Sequence, residues 1–304
     1  MKWTPGTDND DVVDQRGDSG GGSFGGGGGG FGMMHLGGGG IVALVAVVIA
    51  ARACGVDLTG LLGNHGGAGY SQPASNGPRN DQQHPPAGAD PDKPLVDFVK
   101  FVMKDVQDTF EKKFAEAHRT YRHAKLVLFT REVDTACGQS SAAIGPFYCP
   151  GDEHAYIDLS FYRELRERFG APGDFAQAYV LAHEIGHHLQ KLFGTEQRAQ
   201  SLGGGRDRND TSVRVELQAD CYAGVWGHEA QTRKILEAGD LEQAITAATA
   251  IGDDRLQKQA GRQVNPETFT HGTSAQRVHW FRKGFDSGSF DACDTFSSSS
   301  SHDL

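Results

Sequence analysis

The stretch "LAHEIGHHLQ", residues 181 to 190, carries two histidines four apart with a glutamate directly after the first. On an α-helix, residues four apart lie one turn apart on one face, so the imidazoles of His183 and His187 can reach the same ion. Imidazole nitrogen suits zinc, and a carboxylate beside the ion can act as a base on water. Glu184 holds that place. H-E-x-x-H on a helix is a metallopeptidase signature, set against the plainer alternative of two histidines on an ordinary helix. A catalytic zinc takes three protein ligands and keeps a fourth position for water, so this stretch is one ligand short. The extended motif H-E-x-x-H-x-x-G-x-x-H would supply that ligand itself. Here Gln190 stands in place of its glycine and Phe193 in place of its last histidine, which excludes that class.

Two further constellations lie downstream. In "SVRVELQADCYAGVW", residues 212 to 226, Glu216 and Asp220 are four apart and share a helical face. Ala219, Ala223, Gly224 and Gly227 are small enough to let two helices approach closely, and Ser212 can cap the helix. One carboxylate can bind zinc while the other accepts a hydrogen bond from the far nitrogen of a ligating histidine. The neighbours Val215, Leu217, Cys221, Tyr222 and Trp226 are mostly apolar, which argues against a merely solvated acidic face. We take Glu216 as the third ligand and Asp220 as the partner of a histidine; helix geometry alone leaves the reverse order open. In "FTHGTSAQRVHWF", residues 269 to 281, Thr273 with Gln276 forms a capping box that starts a helix. His271, just before it, can donate to the oxyanion of a tetrahedral intermediate, and Arg277 can pair with a buried carboxylate. The same spacing suits a surface histidine and a solvated arginine.

The elements that must position these residues follow from periodicity. Apolar residues at 95, 98, 99, 102, 103, 106 and 110 have helical spacing. "KLVLFT" (125–130), "AIGPFYC" (143–149) and "HAYIDLSF" (154–161) are strand candidates, the last as an edge strand on which an extended peptide can pair. "FYRELRERFG" reads as a short helix ended by Gly170. The H-E-x-x-H helix runs from Asp174, a candidate N-cap, to Gly194, a C-terminal stop, with Phe175, Ala178, Ala182, Ile185, Leu189 and Leu192 as its apolar stripe. The expected fold is α+β: a small sheet, an active-site helix and a second helix with the third ligand.

The rest of the chain sets the context. Its 304 residues carry a net charge of -10, which gives no reason to expect nucleic-acid binding. Glycine-rich, acidic residues 1–30 read as disordered. From Phe31 to Ala51 only His35 is strongly polar, and a helix over that length spans roughly 30 Å, about one hydrocarbon core. Residues 31–53 are therefore expected to form a transmembrane helix. The rival is a cleaved signal peptide with "ARA" at 51 to 53 as its cleavage site, against which stands a long acidic lead-in where a short basic one is needed. Residues 54–94 read as a flexible linker, 95–296 as the peptidase domain and 297–304 as a disordered tail. Arg52 beside the span favours a cytoplasmic face there, whereas the cysteines favour the outside. Cys137, Cys149, Cys221 and Cys293 form an even set without C-x-x-C spacing, which argues against a cysteine zinc site or a thiol–disulfide protein. Two disulfides, Cys137 with Cys149 and Cys221 with Cys293, would suit an extracytoplasmic domain, the alternative being four buried thiols.

Together "HEIGHH", "ELQADCYAGVW", "GPFYCP", "YIDLSF", "THGTSAQR" and "CDTF" resemble the bacterial neutral zinc metallopeptidases of the YpfJ type, over most of the chain. The succession H-E-x-x-H, E-x-x-x-D, H-x-x-x-x-x-R is also similar to the CAAX-type membrane peptidases. That likeness implies Glu216 as third ligand and His271 as a stabiliser of the transition state, with Asp220 and Arg277 at the matching positions. The CAAX-type enzymes hold their site among several spans, and this chain has one apolar stretch, so their lipidated substrates are not carried over. The resemblance implies a zincin-like domain with one catalytic Zn2+, acting on protein or peptide substrates from a single-pass anchor in the bacterial inner membrane. A non-catalytic, membrane-anchored zinc scaffold is the alternative; it would need a fourth protein ligand, for which His188 is the nearby spare.

Overall fold

The computed structural model describes residues 1–17, 90–202 and 208–297. The strands are β1 (Val12–Asp14), β2 (Lys125–Phe129), β3 (Glu132–Thr135), β4 (Gly138–Ser141), β5 (Phe147–Cys149) and β6 (His154–Asp158). The helices are α1 (Lys93–Glu116), α2 (Ser160–Glu167), α3 (Asp174–Phe193), α4 (Thr195–Leu202), α5 (Arg208–Thr232), α6 (Asp240–Ala250), α7 (Asp253–Gln259) and α8 (Ser274–Ser287). The architecture is α+β.

The main sheet has the order β1-β2-β6-β5, with β1, β2 and β6 parallel and β5 antiparallel to β6. β2 is apolar on both faces because both are covered. Leu126 and Leu128 enter the main core, while Val127 and Phe129 join Val133, Cys149 and Tyr156 in a smaller one. β3 and β4 form a separate antiparallel hairpin. β6 is flanked by β2 and β5, so the expectation of an edge strand at 154–161 is corrected: β5 is the edge on that side of the sheet and β1 the other, and "AIGPFYC" begins within a 3-10 turn at Ala142–Ile144 and ends in β5.

α3 crosses the core and is buried nearly all round, as a helix with neighbours on every side must be. Gly194 ends it in the left-handed conformation at φ 74°, as expected. Asp174 is not its N-cap. Gly173 takes that position, and Asp174 lies in the first turn, where it accepts from the indole nitrogen of Trp3. α5 begins before Ser212, whose hydroxyl donates to the Thr270 carbonyl instead of capping. The helices meet through glycine. A Cβ on Gly186 would lie 2.8 Å from the Ala219 carbonyl oxygen, and one on Gly284 would lie 1.9 Å from that of Cys221. Only glycine allows backbones this close, and these contacts seat α3 and α8 against α5. The Thr273–Gln276 capping box at the start of α8 is present in both directions.

Both expected disulfides are formed, Cys137–Cys149 and Cys221–Cys293. The expected disorder of residues 1–30 is corrected for residues 1–17. Met1 is buried, and its amino group lies 3.0 Å from Asp240 and 3.4 Å from Glu237. Trp3 meets Phe98 edge-on, and β1 pairs with β2. The glycine runs begin only at Gly20; before them Met1, Trp3, Val12 and Val13 supply apolar bodies and strand-forming residues. The domain thus has two parts in sequence, where one beginning near Leu95 was expected. The expected span at 31–53, most of the linker and the tail beyond residue 297 lie outside the described residues. Among the described residues no helix is long and apolar enough to cross a membrane.

Candidate metal centre

α3 and α5 bring the predicted ligands together. His183 Nε2 lies 3.1 Å from Glu216 Oε2, and His187 Nε2 lies 3.6 Å from Glu216 Oε1. Ligand atoms of the three residues fall within 4.8 Å of one another, the only such group of His, Cys, Asp or Glu among the described residues.

Each imidazole is oriented from behind. His183 Nδ1 lies 2.8 Å from Asp220 Oδ1. A carboxylate only accepts, so Nδ1 carries a proton to Asp220, and Nε2 is the nitrogen that would take an ion beside Glu216. Asp220 is fully buried and accepts also from the Tyr179 hydroxyl and from Arg277, through Nε at 2.8 Å and Nη2 at 2.9 Å. Burial pushes its carboxyl up, but the charges of Arg277 and His183 outweigh that and hold it below the usual range. His187 is set by Gln190. The Gln190 amide nitrogen donates to the Val215 carbonyl at 2.6 Å, so its oxygen is the atom 2.9 Å from His187 Nδ1. That oxygen can only accept, which leaves His187 Nε2 free on the ligand side.

The charges suit a cation. Burial pushes Glu216 up, yet His187 and His183 outweigh burial and hold its carboxyl well below the ordinary value. Burial lowers His183, but Asp220 and Glu216 raise it to about 10. The pair of histidines beside a carboxylate therefore attracts positive charge strongly, which without an ion is protons. Two neutral Nε2 donors and one carboxylate, with no fourth protein ligand in the group, are the donor set of a catalytic zinc site. His188 does not close it. The ring is buried, its Nε2–H donates to the Arg122 carbonyl at 2.6 Å, and its Nδ1 lies 2.9 Å from the Tyr148 hydroxyl.

Glu184 is buried beside the ligands, and burial raises its carboxyl above the ordinary value. It faces a cleft of about 740 Å³ that also reaches His183, His187, Glu216, His271 and Arg277. His271 stands on the rim. Its side chain is 49% exposed and its Nδ1 lies 3.2 Å from Asp253 Oδ1, apart from the three ligands. Asp253 also accepts from the backbone nitrogens of Thr270, His271 and Gly272, which fixes the loop before α8.

Three residues of the site escape the motif-based reading. Tyr179 and Gln190 had a usable signal, since they stand four before His183 and three after His187 on the same helix. Asp253 had none, because it reaches His271 only through the fold.

A family model described as "Putative neutral zinc metallopeptidase" matches residues 1–296. The chain belongs to this family. "Uncharacterized protein YpfJ" of Escherichia coli (strain K12) is 44% identical over 302 residues, covering 98% of this chain and 100% of that protein. "Uncharacterized protein Rv2575" of Mycobacterium tuberculosis (strain H37Rv) is 46% identical over 188 residues, 58% of this chain and 64% of that protein. No solved structure matches. The first match spans both parts of the domain and the residues between them.

Proposed function

We propose that the chain is a zinc-dependent endopeptidase that hydrolyses peptide bonds in protein or peptide substrates. The observation that carries this reading is the paired orientation of His183 and His187. Each Nδ1 proton is committed, to Asp220 and to Gln190, so both Nε2 atoms are directed at Glu216 beside an open cleft. His183, His187 and Glu216 would hold one Zn2+, while Asp220 and Arg277 hold His183 in place. Such an ion, when bound, polarises a carbonyl and lowers the pKa of water toward about 7.

Glu184 takes the proton from the attacking water and passes it to the leaving amine; its buried carboxyl has a raised pKa, which brings it closer to that task. His271, reaching the cleft from the rim, donates to the oxyanion. An extended substrate pairs with β5, the sheet edge whose Phe147 and Tyr148 line the cleft. The two disulfides support an extracytoplasmic domain, and the apolar residues 31–53 support attachment to the bacterial inner membrane.

Glu184→Gln tests the mechanism. The variant should retain zinc and lose peptide hydrolysis by about 10²- to 10⁴-fold. Wild-type cleavage by this variant would overturn the role of Glu184. A wild-type protein that binds zinc and cleaves no peptide would favour the non-catalytic scaffold.

A further inference from the structure

The motif "CDTF", residues 293 to 296, has no part in the proposed chemistry, yet it packs against the helix that carries Glu216. Cys293 ends the 3-10 turn Phe290–Cys293 and is joined to Cys221 on α5. Thr295 is fully buried and clasps α5 in both directions. Its hydroxyl donates to the Arg214 carbonyl at 2.8 Å, and Arg214 Nη1 donates to the Thr295 carbonyl at 2.6 Å. Arg214 precedes Glu216 and Cys221 follows Asp220, so the segment brackets the turns of α5 that bear both carboxylates.

Between these anchors lies Gln218, buried on the same helix. Its amide nitrogen donates to the Cys293 carbonyl at 2.9 Å, which fixes which end of the amide is oxygen. That oxygen accepts from the Gln190 amide nitrogen and from the Thr195 hydroxyl, each at 3.2 Å. The Gln190 nitrogen has two hydrogens, one for the Val215 carbonyl and one for Gln218. With both committed, the amide plane is set and its oxygen is held at His187 Nδ1. A chain of hydrogen bonds thus runs from the Cys293 carbonyl through Gln218 and Gln190 to His187.

We infer that Cys293–Thr295 is a positioning element of the metal centre: anchored by the Cys221–Cys293 disulfide, it fixes through Gln218 and Gln190 which nitrogen His187 turns to the ion, and so raises the zinc affinity of the site. The inference rests on the reading of His183, His187 and Glu216 as zinc ligands and goes beyond it, to a segment outside the ligand set. Without Gln218, Gln190 would keep the Val215 carbonyl alone and could turn about that one bond. An imidazole less firmly oriented must be ordered when the ion binds, which weakens the site. Without the disulfide, the segment depends on hydrogen bonds and packing that can open locally.

Zinc affinity of the purified full chain, measured by competition with a chromophoric chelator, tests this beside the absorption bands of the Co2+-loaded protein, which report ligand geometry. Gln218→Leu keeps the side chain's bulk and removes both amide bonds. It should weaken zinc binding by about 10-fold or more and shift the Co2+ bands. The double variant Cys221→Ala with Cys293→Ala should weaken zinc binding in the same direction. Phe98→Leu, a core change on α1 against Trp3, is the control. It should lower Tm while zinc affinity and the Co2+ bands stay at wild type. Wild-type affinity and bands in Gln218→Leu overturn the inference and leave the ligands standing. An equal loss of affinity in Phe98→Leu reduces Gln218 to a general stabiliser and overturns it as well. Unchanged affinity in the double cysteine variant overturns the part given to the disulfide. A wild-type chain that takes up no zinc overturns the ligand reading and the inference with it.

Discussion

The floor of the cleft and its rim are held in different ways. The floor is the crossing of α3, α5 and α8, where Asp220 is fully buried and accepts four hydrogen bonds from three side chains. Gly186 and Gly284 allow backbone contact there, and Arg277 is 2% exposed. The rim comprises the turn at 142–144, β5 and the loop bearing His271. Ile144 is 61% exposed there, and one disulfide and the Asp253 contacts hold the parts. On the floor, changing one residue leaves a buried partner unsatisfied. On the rim, a side chain can change with its neighbours intact. The floor is thus suited to holding side chains in one fixed arrangement and the rim to tolerating change.

The largest expected effect is on the floor. Glu216→Ala removes one of the three proposed ligands and leaves two histidines. The variant should purify nearly zinc-free and inactive, as read by metal analysis. Retained zinc would mean that another group completes the site and that the floor is misread.

His271→Ala should come next. A donor to the developing oxyanion typically contributes about 10²-fold or more in kcat, and His271 has no contact with the ligand group that would disturb the metal. The expected outcome is a kcat lower by about 10²-fold at full zinc content. An unchanged kcat would reduce His271 to a surface group paired with Asp253.

Asp220 is a subtler case. Asp220→Ala would strand Arg277 in the core without its carboxylate, at about 3–5 kcal/mol of stability, so Asp220→Asn is the cleaner probe. It keeps the volume but weakens the hold on the His183 tautomer, and metal affinity or activity should fall by about 10- to 100-fold. If Asp220→Asn emptied the site while Glu216→Ala kept it filled, the two carboxylates would have exchanged roles.

The same contrast explains what the sequence disclosed. His183, Glu184, His187, Glu216 and Asp220 were readable because helix periodicity converts spacing into direction, and floor residues lie on two long helices. Both cysteine pairings were expected from their spacing and compartment, and both formed. What escaped depended on contacts between remote segments. Asp253 meets His271 across 18 residues of loop and helix, and Met1 meets Asp240 across 239. The edge position of β5 could not be read from alternation, because strand order is set by which neighbours cover β6. The packing of residues 1–17 is masked in the sequence by the glycine runs that follow, which dominate the composition of the first 30 residues.

The smallest expected effect belongs to the rim disulfide. Cys137 and Cys149 are 12 residues apart in sequence, so their bond closes a short loop; removing it should cost at most about 3 kcal/mol of stability. Cys149 is buried against Val127, Phe129 and Tyr156, so alanine is a better replacement than serine there. The double variant Cys137→Ala with Cys149→Ala should keep its zinc, because His183, His187 and Glu216 stand on α3 and α5 and the side chains that orient the histidines, Asp220, Gln190 and Arg277, lie outside that loop. Cys149 does end β5, the edge on which the substrate is expected to pair. Loosening that edge should therefore raise KM several-fold while kcat stays near wild type, since Glu184 and the ligands are unmoved. Parallel metal analysis and steady-state kinetics on one peptide separate the outcomes. Loss of zinc in this variant would show that floor and rim are a single cooperative unit, and the distinction between them would fail.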